Sequence, residues 1–317
     1  MYHDRLFKQL MRSDFPGFVQ LFFPSVFAQT DFSTLEWLDK EFFADLPKGA
    51  VRTSDLVAKV MMNGEESLTF LFLTELESYP GQQVGGQVLG ERLFQYYSLL
   101  WNRYRLPVFP VVVYIVESRV ALEAHTHKHT LFGYVTNQLH YQVVGLPKLS
   151  AEDYLKRGTL MAGALGASMS PGQWSRAELK LYCLETVARA PGNEAQKFVA
   201  VNHIETYLEL SDDEAQQFDT LLMEEKHVEA QEVHLTWADK LILKGRAEGE
   251  ARGEARGEAK GEVNGIRRTL ARQLERKFGL LSPAVLARLG AISPLERLDA
   301  LAEQVLTASS LRELGLE

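Results

Sequence analysis

Three carboxylates stand among aliphatic residues in the N-terminal part of the chain. Asp55 lies in VRTSDLVAKV, and Glu75 and Glu77 lie in LTFLFLTELES. Charged side chains are depleted from strands and are costly to bury, so these three residues are unexpected for their surroundings. Glu75 and Glu77 are two positions apart and therefore project from the same face of a strand. The Asn63-Gly64 turn signal predicts a hairpin that brings Asp55 beside them.

The register of that hairpin decides whether the three carboxylates converge. A loop of about four or five residues places Asp55 opposite Thr74 or Glu75. Only an odd-length loop or a β-bulge puts Asp55 and Glu75 on one face of the sheet. Convergence therefore requires one particular strand pairing.

Clustered carboxylates repel one another unless a cation neutralises them, and hard oxygen ligands suit Mg²⁺ or Mn²⁺. Such a cation polarises a phosphodiester and lowers the pKa of an attacking water. The spacing thus predicts a metal site formed by Asp55, Glu75 and Glu77. The alternative is that the two glutamates mark the solvent-exposed end of a strand, where it leaves the core, and pair with Lys59 or Arg52.

Two neighbouring cations extend the candidate site. Lys59 lies four residues after Asp55 on the same strand face and is a candidate source of positive charge, although lysine there is also typical of a solvated strand. Arg92 and Tyr96 are one helical turn apart, so Arg92 is positioned to contact a phosphate and Tyr96 to contact the sheet. Packing alone explains Tyr96 equally well.

Composition limits the class of protein. The chain has 317 residues, of which 46% are hydrophobic and 24% charged, and this composition can bury an ordinary core. The excess of 42 Asp and Glu over 34 Lys and Arg argues against non-specific coating of nucleic acid but leaves room for a local basic cleft. The single cysteine, Cys183, excludes a disulfide framework and is predicted to be a core thiol.

Membrane insertion and secretion are not expected. The longest apolar run, LPVFPVVVYIV, is too short for a membrane span and reads as a buried strand. The N-terminus MYHDRLFKQL lacks the basic and apolar regions of a secretory signal. We therefore expect a globular cytoplasmic protein.

The chain is predicted to contain a mixed region, a helical extension, a tether and a small helical domain. Glycine recurs at every fourth position in GRAEGEARGEARGEAKGEVNG, which predicts either an exposed helix with a glycine stripe or a flexible tether. Self-association through this segment is a further alternative, so a homo-oligomer is a candidate assembly. The predicted boundaries are 1–150, 151–244, 245–265 and 266–317.

Two local patterns predict helices in the later part of the chain. The sequence Ser-Asp-Asp-Glu beginning at Ser211 resembles a capping box that opens a helix. In the last segment, apolar residues recur at intervals of four, at Ile266, Leu270, Leu274 and Phe278.

The mixed region has the order α-β-β-α-β. A hairpin whose second strand leads through a helix into a further strand implies an α/β (α+β) fold, with a mixed sheet flanked by helices. The predicted elements are helices within His3 to Phe23 broken at Pro16-Gly17, strands over Val51 to Met62 and Ser67 to Ser78, a helix over Val84 to Arg103, and a strand over Val108 to Val116.

Four short segments follow one another along the N-terminal part of the chain: HDRLFKQL, RTSDLVAKV, FLFLTELES and ERLFQYY. Together and in this order they resemble the recombination-promoting nuclease and putative transposase family, within the PD-(D/E)XK nuclease superfamily. The resemblance covers most of residues 1–245. The segment after it resembles a small uncharacterised domain often appended to these proteins. The resemblance implies a restriction-endonuclease-like core, DNA as the partner, and Asp55 and Glu75 as ligands of Mg²⁺ or Mn²⁺.

Glu77 departs from that family's pattern. It falls where the superfamily has lysine and this family usually has glutamine, and a carboxylate has the wrong sign to stabilise a developing negative charge. Glu77 is then either a third metal ligand or the mark of lost cleavage. Two hypotheses result. The first is a metal-dependent DNA endonuclease acting in recombination or transposition. The second is a nuclease-fold module that has lost cleavage and has a DNA-binding or regulatory role.

Three alternating histidines, His125, His127 and His129, have the spacing of a metal site on one strand face. The Thr and Lys residues between them favour a solvated loop or sheet edge instead.

Overall fold

The structure is a computed structural model that describes residues 2–38, 56–64, 68–77, 88–292 and 295–316. Its contact pattern divides the chain into two units, Met1–Ala238 and Asp239–Glu317. The two units are described in turn.

The described strands are β1 (Thr30–Trp37), β2 (Leu56–Met62), β3 (Thr69–Glu77), β4 (Val108–Tyr114), β5 (Leu122–Leu131) and β6 (Tyr134–Gly145). They form one six-stranded mixed sheet in the order β1-β2-β3-β4-β6-β5. β1, β2 and β3 are antiparallel to one another, β4 runs parallel to both β3 and β6, and β5 pairs antiparallel with β6 at the edge. The predicted mixed sheet with flanking helices is therefore confirmed.

The parallel pairing of β3 and β4 requires a crossover, which helix α4 (Leu89–Tyr104) supplies. The helix ends at Arg105, whose left-handed φ of 54° turns the chain toward β4. The sequence did not predict β1 or the β5–β6 hairpin, and these strands extend the sheet on both sides.

Alternation along the strands gives the sheet two apolar faces. One face packs under α4, where Leu71, Leu73 and Val112 meet Leu93 and Tyr96. The opposite face packs against the N-terminal helices and the helices that follow the sheet, within a core that continues to Ala230. Residues 151–238 therefore share a core with the sheet.

The N-terminal helices α1 (Tyr2–Ser13) and α2 (Phe15–Phe22) are separated at Asp14, two residues before the predicted break. Asp14 caps α2 by accepting a hydrogen bond from the Gly17 amide at 3.1 Å. Pro16 lies in the first turn of α2, where its missing amide proton costs no helical hydrogen bond.

The helices after the sheet begin at well-formed caps. Ser211 and Glu214 form the predicted capping box, and Ser175 and Glu178 form another. Cys183 is fully buried here, and burial raises the pKa of its thiol, so the predicted core role is confirmed. The remaining helices of this unit are α3 (Pro24–Phe27), α5 (Ala151–Leu155), α6 (Leu160–Gly166), α7 (Arg176–Arg189), α8 (Glu194–Tyr207) and α9 (Asp212–Leu222).

The second unit is helical, as predicted. It contains the later part of α10 (Val228–Phe278), together with α11 (Pro283–Ala291) and α12 (Leu295–Thr307). Its core is a cluster of leucines and valines centred on Leu270, Leu274, Val285, Leu298 and Val305. No helix within the described residues combines the length and the apolarity needed to cross a bilayer.

The glycine-rich segment lies within α10, so the structure has the helical alternative and not the flexible tether. Glycine in a helix interior costs about 1 kcal/mol relative to alanine, and several glycines weaken the helix locally. A Cβ atom added at Gly249 or Gly257 meets no described atom within 4 Å. These two glycines are therefore not required by packing against any residue that the structure describes.

We expect limited trypsin digestion to cut α10 first between Gly245 and Gly265, where the backbone is least stable. The double variant Gly249→Ala/Gly257→Ala should slow this cleavage and raise the helical circular dichroism signal, because each change favours the helix by about 1 kcal/mol. Mass spectrometry of the fragments identifies the sites. First cleavage elsewhere, or no change in rate in the variant, would contradict the expectation.

Candidate functional site

The predicted site begins where β2 begins. Asp55, the predicted metal-binding aspartate, lies outside the described residues, immediately before Leu56. The described pairing of β2 with β3 starts at Leu56↔Thr74 and continues without a bulge to Met61↔Thr69. The predicted convergence of Asp55 with the β3 carboxylates stays a prediction.

Glu75 and Glu77 both lie in β3 and are 4% and 7% exposed. They follow Leu71 and Leu73 in the alternation, so they belong to the face of the sheet that α4 covers. Both carboxylates are thus buried and do not mark a solvent-exposed end of the strand. A buried carboxylate is costly unless a cation or several donors compensate it.

Arg92, in the first turns of α4, reaches the strand and pairs with Glu77. Its Nη2 donates to Oε1 of Glu77 in a buried ion pair, and the arginine is 3% exposed. The Nη1 atom of Arg92 is also buried and has no hydrogen-bond partner among the residues that the structure describes. The helix thus carries a fixed positive charge to the carboxylates of β3.

Lys59 is directed elsewhere. Its Nζ lies 2.9 Å from Oε2 of Glu36 on β1, and its side chain is 38% exposed. Lys59 pairs across the sheet with Leu71, four residues before Glu75, which corresponds to about 13 Å along the strand. The structure therefore brings Arg92, and not Lys59, to the β3 carboxylates.

Tyr114 is a neighbour of this site that the sequence did not single out. It pairs directly with Glu77 in the β3–β4 ladder and is buried. Burial, together with the negative charge of Glu77, raises the pKa of Tyr114, so its hydroxyl stays protonated at neutral pH. In the sequence, Tyr114 is distinguished only as a hydroxyl-bearing residue near the end of the apolar run LPVFPVVVYIV.

Tyr96 is fully buried between α4 and the sheet, as the packing interpretation predicted.

The donor chemistry of these residues fits a hard divalent cation, because Glu75 and Glu77 offer carboxylate oxygens from adjacent positions of one strand face. Arg92 balances the charge of Glu77 in the buried ion pair. Within the described ranges, no group of three or more His, Cys, Asp or Glu side chains is arranged to hold a metal ion. A full ligand set therefore depends on Asp55.

The three alternating histidines lie in β5, the edge strand, in agreement with the predicted sheet edge. The Nε2 atoms of His127 and His129 are 3.0 Å apart. His127 lies against Gly90 at the start of α4, and the His129 ring packs edge-on against Phe94.

No family model, no curated protein and no solved structure matches this chain. Its function must therefore be inferred from the residues and their geometry.

The buried ion pair makes a testable contribution to stability. We expect Arg92→Leu to lower the free energy of unfolding by about 3–5 kcal/mol, because it leaves the Glu77 carboxylate buried without its cation. The double variant Glu77→Gln/Arg92→Leu should recover most of that loss, since no buried charge then lacks its partner. Urea denaturation of the wild type, both single variants and the double variant measures the coupling. If the stability losses of the two single variants simply added in the double variant, the predicted coupling between Glu77 and Arg92 would be contradicted.

Proposed function

We propose that the chain is a divalent-metal-dependent DNA endonuclease built on a PD-(D/E)XK nuclease-like core. The sheet order supports this proposal, since an antiparallel β1-β2-β3 meander leads through α4 into a parallel β4. The observation that carries it is the burial of two carboxylates on one face of β3 beside a helix that supplies Arg92. Ordinary packing does not call for charge at this position.

Each residue of the site has a role in this proposal. Asp55 and Glu75 hold Mg²⁺ or Mn²⁺, and Glu77 completes the ligand set. When bound there, such a cation would supply polarisation of the scissile phosphate and a lowered pKa for a water. Arg92 balances the extra charge of Glu77 and orients its carboxylate. We assign to Arg92 the positive charge that the resemblance would place on a lysine at position 77.

Arg92 is also the residue that we assign to a phosphate oxygen of the substrate. Its Nη2 is committed to Glu77, which leaves Nη1 as the donor for that contact. Because Nη1 is buried, the contact requires a small displacement of α4 from the sheet. The guanidinium is suited to this double role, since its donors form a rigid fork.

One observation favours a second function. Glu77, at the position where the resemblance implies a lysine or glutamine, is already paired with Arg92. A pair that only stabilises the fold is compatible with a degenerate module that binds DNA or regulates without cutting it. Cleavage assays separate the two functions.

We expect purified full-length protein to nick supercoiled plasmid in Mg²⁺ or Mn²⁺ and not in EDTA. Glu75→Gln and Asp55→Ala should each slow nicking by at least about 100-fold, because each removes a ligand charge that holds the cation. Glu152→Gln, which changes an exposed helix carboxylate paired with Lys156, is the matched control and should nick normally. Equal nicking by all variants would assign the activity to a contaminant. A folded wild type that binds DNA without nicking it would favour the second function.

Glu77→Gln distinguishes a metal ligand from a lost catalytic residue. If Glu77 binds the cation, the variant should bind Mn²⁺ more weakly in calorimetry and should nick more slowly. Unchanged affinity with faster nicking would show that glutamate had replaced a catalytic residue. Glutamine is the informative substitution, because lysine at this position would face the buried Arg92 and destabilise the fold.

A further inference from the structure

The hairpin formed by β5 and β6 carries an apolar tip that faces solvent. Leu131 pairs with Tyr134 across a two-residue turn made of Phe132 and Gly133. Four of the tip residues have large exposed fractions: Leu131 at 56%, Phe132 at 89%, Tyr134 at 76% and Val135 at 54%. We define these four residues as the hairpin tip.

Phe132 has an unfavourable backbone conformation. Its φ is 51° and that of Gly133 is 82°, so both central residues are left-handed, as a type I′ turn requires. That turn favours Asn, Asp or Gly at its first central position, and an aromatic residue there is disfavoured. At 89% exposure, Phe132 gains almost no burial to offset the cost. Folding therefore does not explain why this residue is a phenylalanine.

The charge of the hairpin differs from that of the whole chain. The chain has 42 Asp and Glu residues, yet none lies between Ala124 and Ala151. The same stretch contains Lys128, Lys148 and four histidines. Uncharged hydrogen-bonding side chains fill much of the remainder of the two strands. The one carboxylate of the hairpin, Glu123, lies at the start of β5, far along the strand from the turn and 3.5 Å from His125. The part of the hairpin from Ala124 to Gly145 therefore has no acidic residue and is a surface that a polyanion can approach, on a protein of net charge −8.

We propose that the hairpin tip binds nucleic acid, with Phe132 and Tyr134 stacking on unpaired bases and the strands behind them lying along the phosphate backbone. The inference rests on the proposed nuclease function, for which it names a substrate contact. Aromatic side chains stack on bases irrespective of sequence, because every base has a π-face. Unpaired bases fit better than an intact duplex, which exposes its base faces only where it is opened. The absence of acidic residues between Ala124 and Gly145 favours nucleic acid over a protein partner or a second copy of the chain.

Binding is measured by fluorescence anisotropy with a labelled single strand of about 16 nucleotides, in EDTA so that no cleavage occurs. We expect Phe132→Ala and Tyr134→Ala each to weaken affinity by about 5- to 150-fold, the loss of one base stack. Leu280→Ala, which removes a fully exposed apolar side chain from the other unit, is the matched control and should bind like wild type. Wild-type affinity should fall with added salt.

Phe132→Asn separates binding from folding. Asparagine suits the left-handed position, so this variant should raise the thermal midpoint by about 2–4 °C while weakening DNA binding as Phe132→Ala does. If Phe132 served only the fold, replacing it would not raise the stability of the protein and lower its affinity for DNA at the same time. Unchanged affinity in both Phe132 variants, or no binding by the wild type, would overturn the inference. So would self-association that Phe132→Asn abolishes in analytical ultracentrifugation, because the tip would then bind a second copy.

Failure of this inference is distinguishable from failure of the nuclease proposal. Single-strand binding in EDTA reports on the tip without cleavage, whereas plasmid nicking by Glu75→Gln reports on the nuclease site. If the Phe132 variants lose binding and no protein nicks DNA, the tip is a nucleic-acid surface on a protein without cleavage. If Glu75→Gln abolishes nicking and the Phe132 variants bind normally, the nuclease proposal stands and this inference falls.

Discussion

The buried ion pair between Glu77 and Arg92 is the interaction on which the arrangement of β3 and α4 depends. Removing two charges from water is costly, and a buried pair is tolerated only where each charge meets its partner. The pair therefore adds a directional restraint to the apolar contacts between α4 and the sheet, because a hydrogen bond depends on angle as well as distance. Glu75, two residues away, is held in the same constrained environment.

The two faces of the sheet differ in the polarity of the groups that they bury. The face toward the N-terminal helices and residues 151–238 is a continuous apolar core, and it supplies most of the burial in the first unit. The face under α4 has an apolar centre but becomes charged and hydroxylated toward the ends of β3 and β4, at Glu75, Glu77 and Tyr114. A large core on one face allows an energetically unfavourable group to persist on the other.

The β5–β6 hairpin shows a related balance at the edge of the sheet. An edge strand exposes unpaired backbone groups, and a polar or charged sequence limits aggregation there. The histidines and Lys128 of β5 fit that need, whereas the exposed aromatic tip does not. Phe132 combines a disfavoured backbone conformation with little burial, which is the pattern of a residue kept for contact with another molecule.

Local pattern alone identified much of this protein. The apolar runs on either side of the Asn63-Gly64 signal predicted β2 and β3, period-four apolar residues predicted the C-terminal helices, and the capping box at Ser211 followed from four adjacent residues. The two-residue period of a strand placed Glu75 and Glu77 on one face. These features depend on neighbours in sequence, which is why the sequence was sufficient for them.

Only the tertiary structure decided which groups meet. β1 has no strong alternation and becomes a strand by pairing with β2, and the polar β5–β6 hairpin is ordered by pairing with β4. The partner of Arg92 is 15 residues away across the layer between helix and sheet, and Lys59 is taken by Glu36 from a strand that the sequence did not reveal. Such pairings depend on the register of strands and the packing of a helix across them. Those long-range contacts have no signature within a short window of sequence.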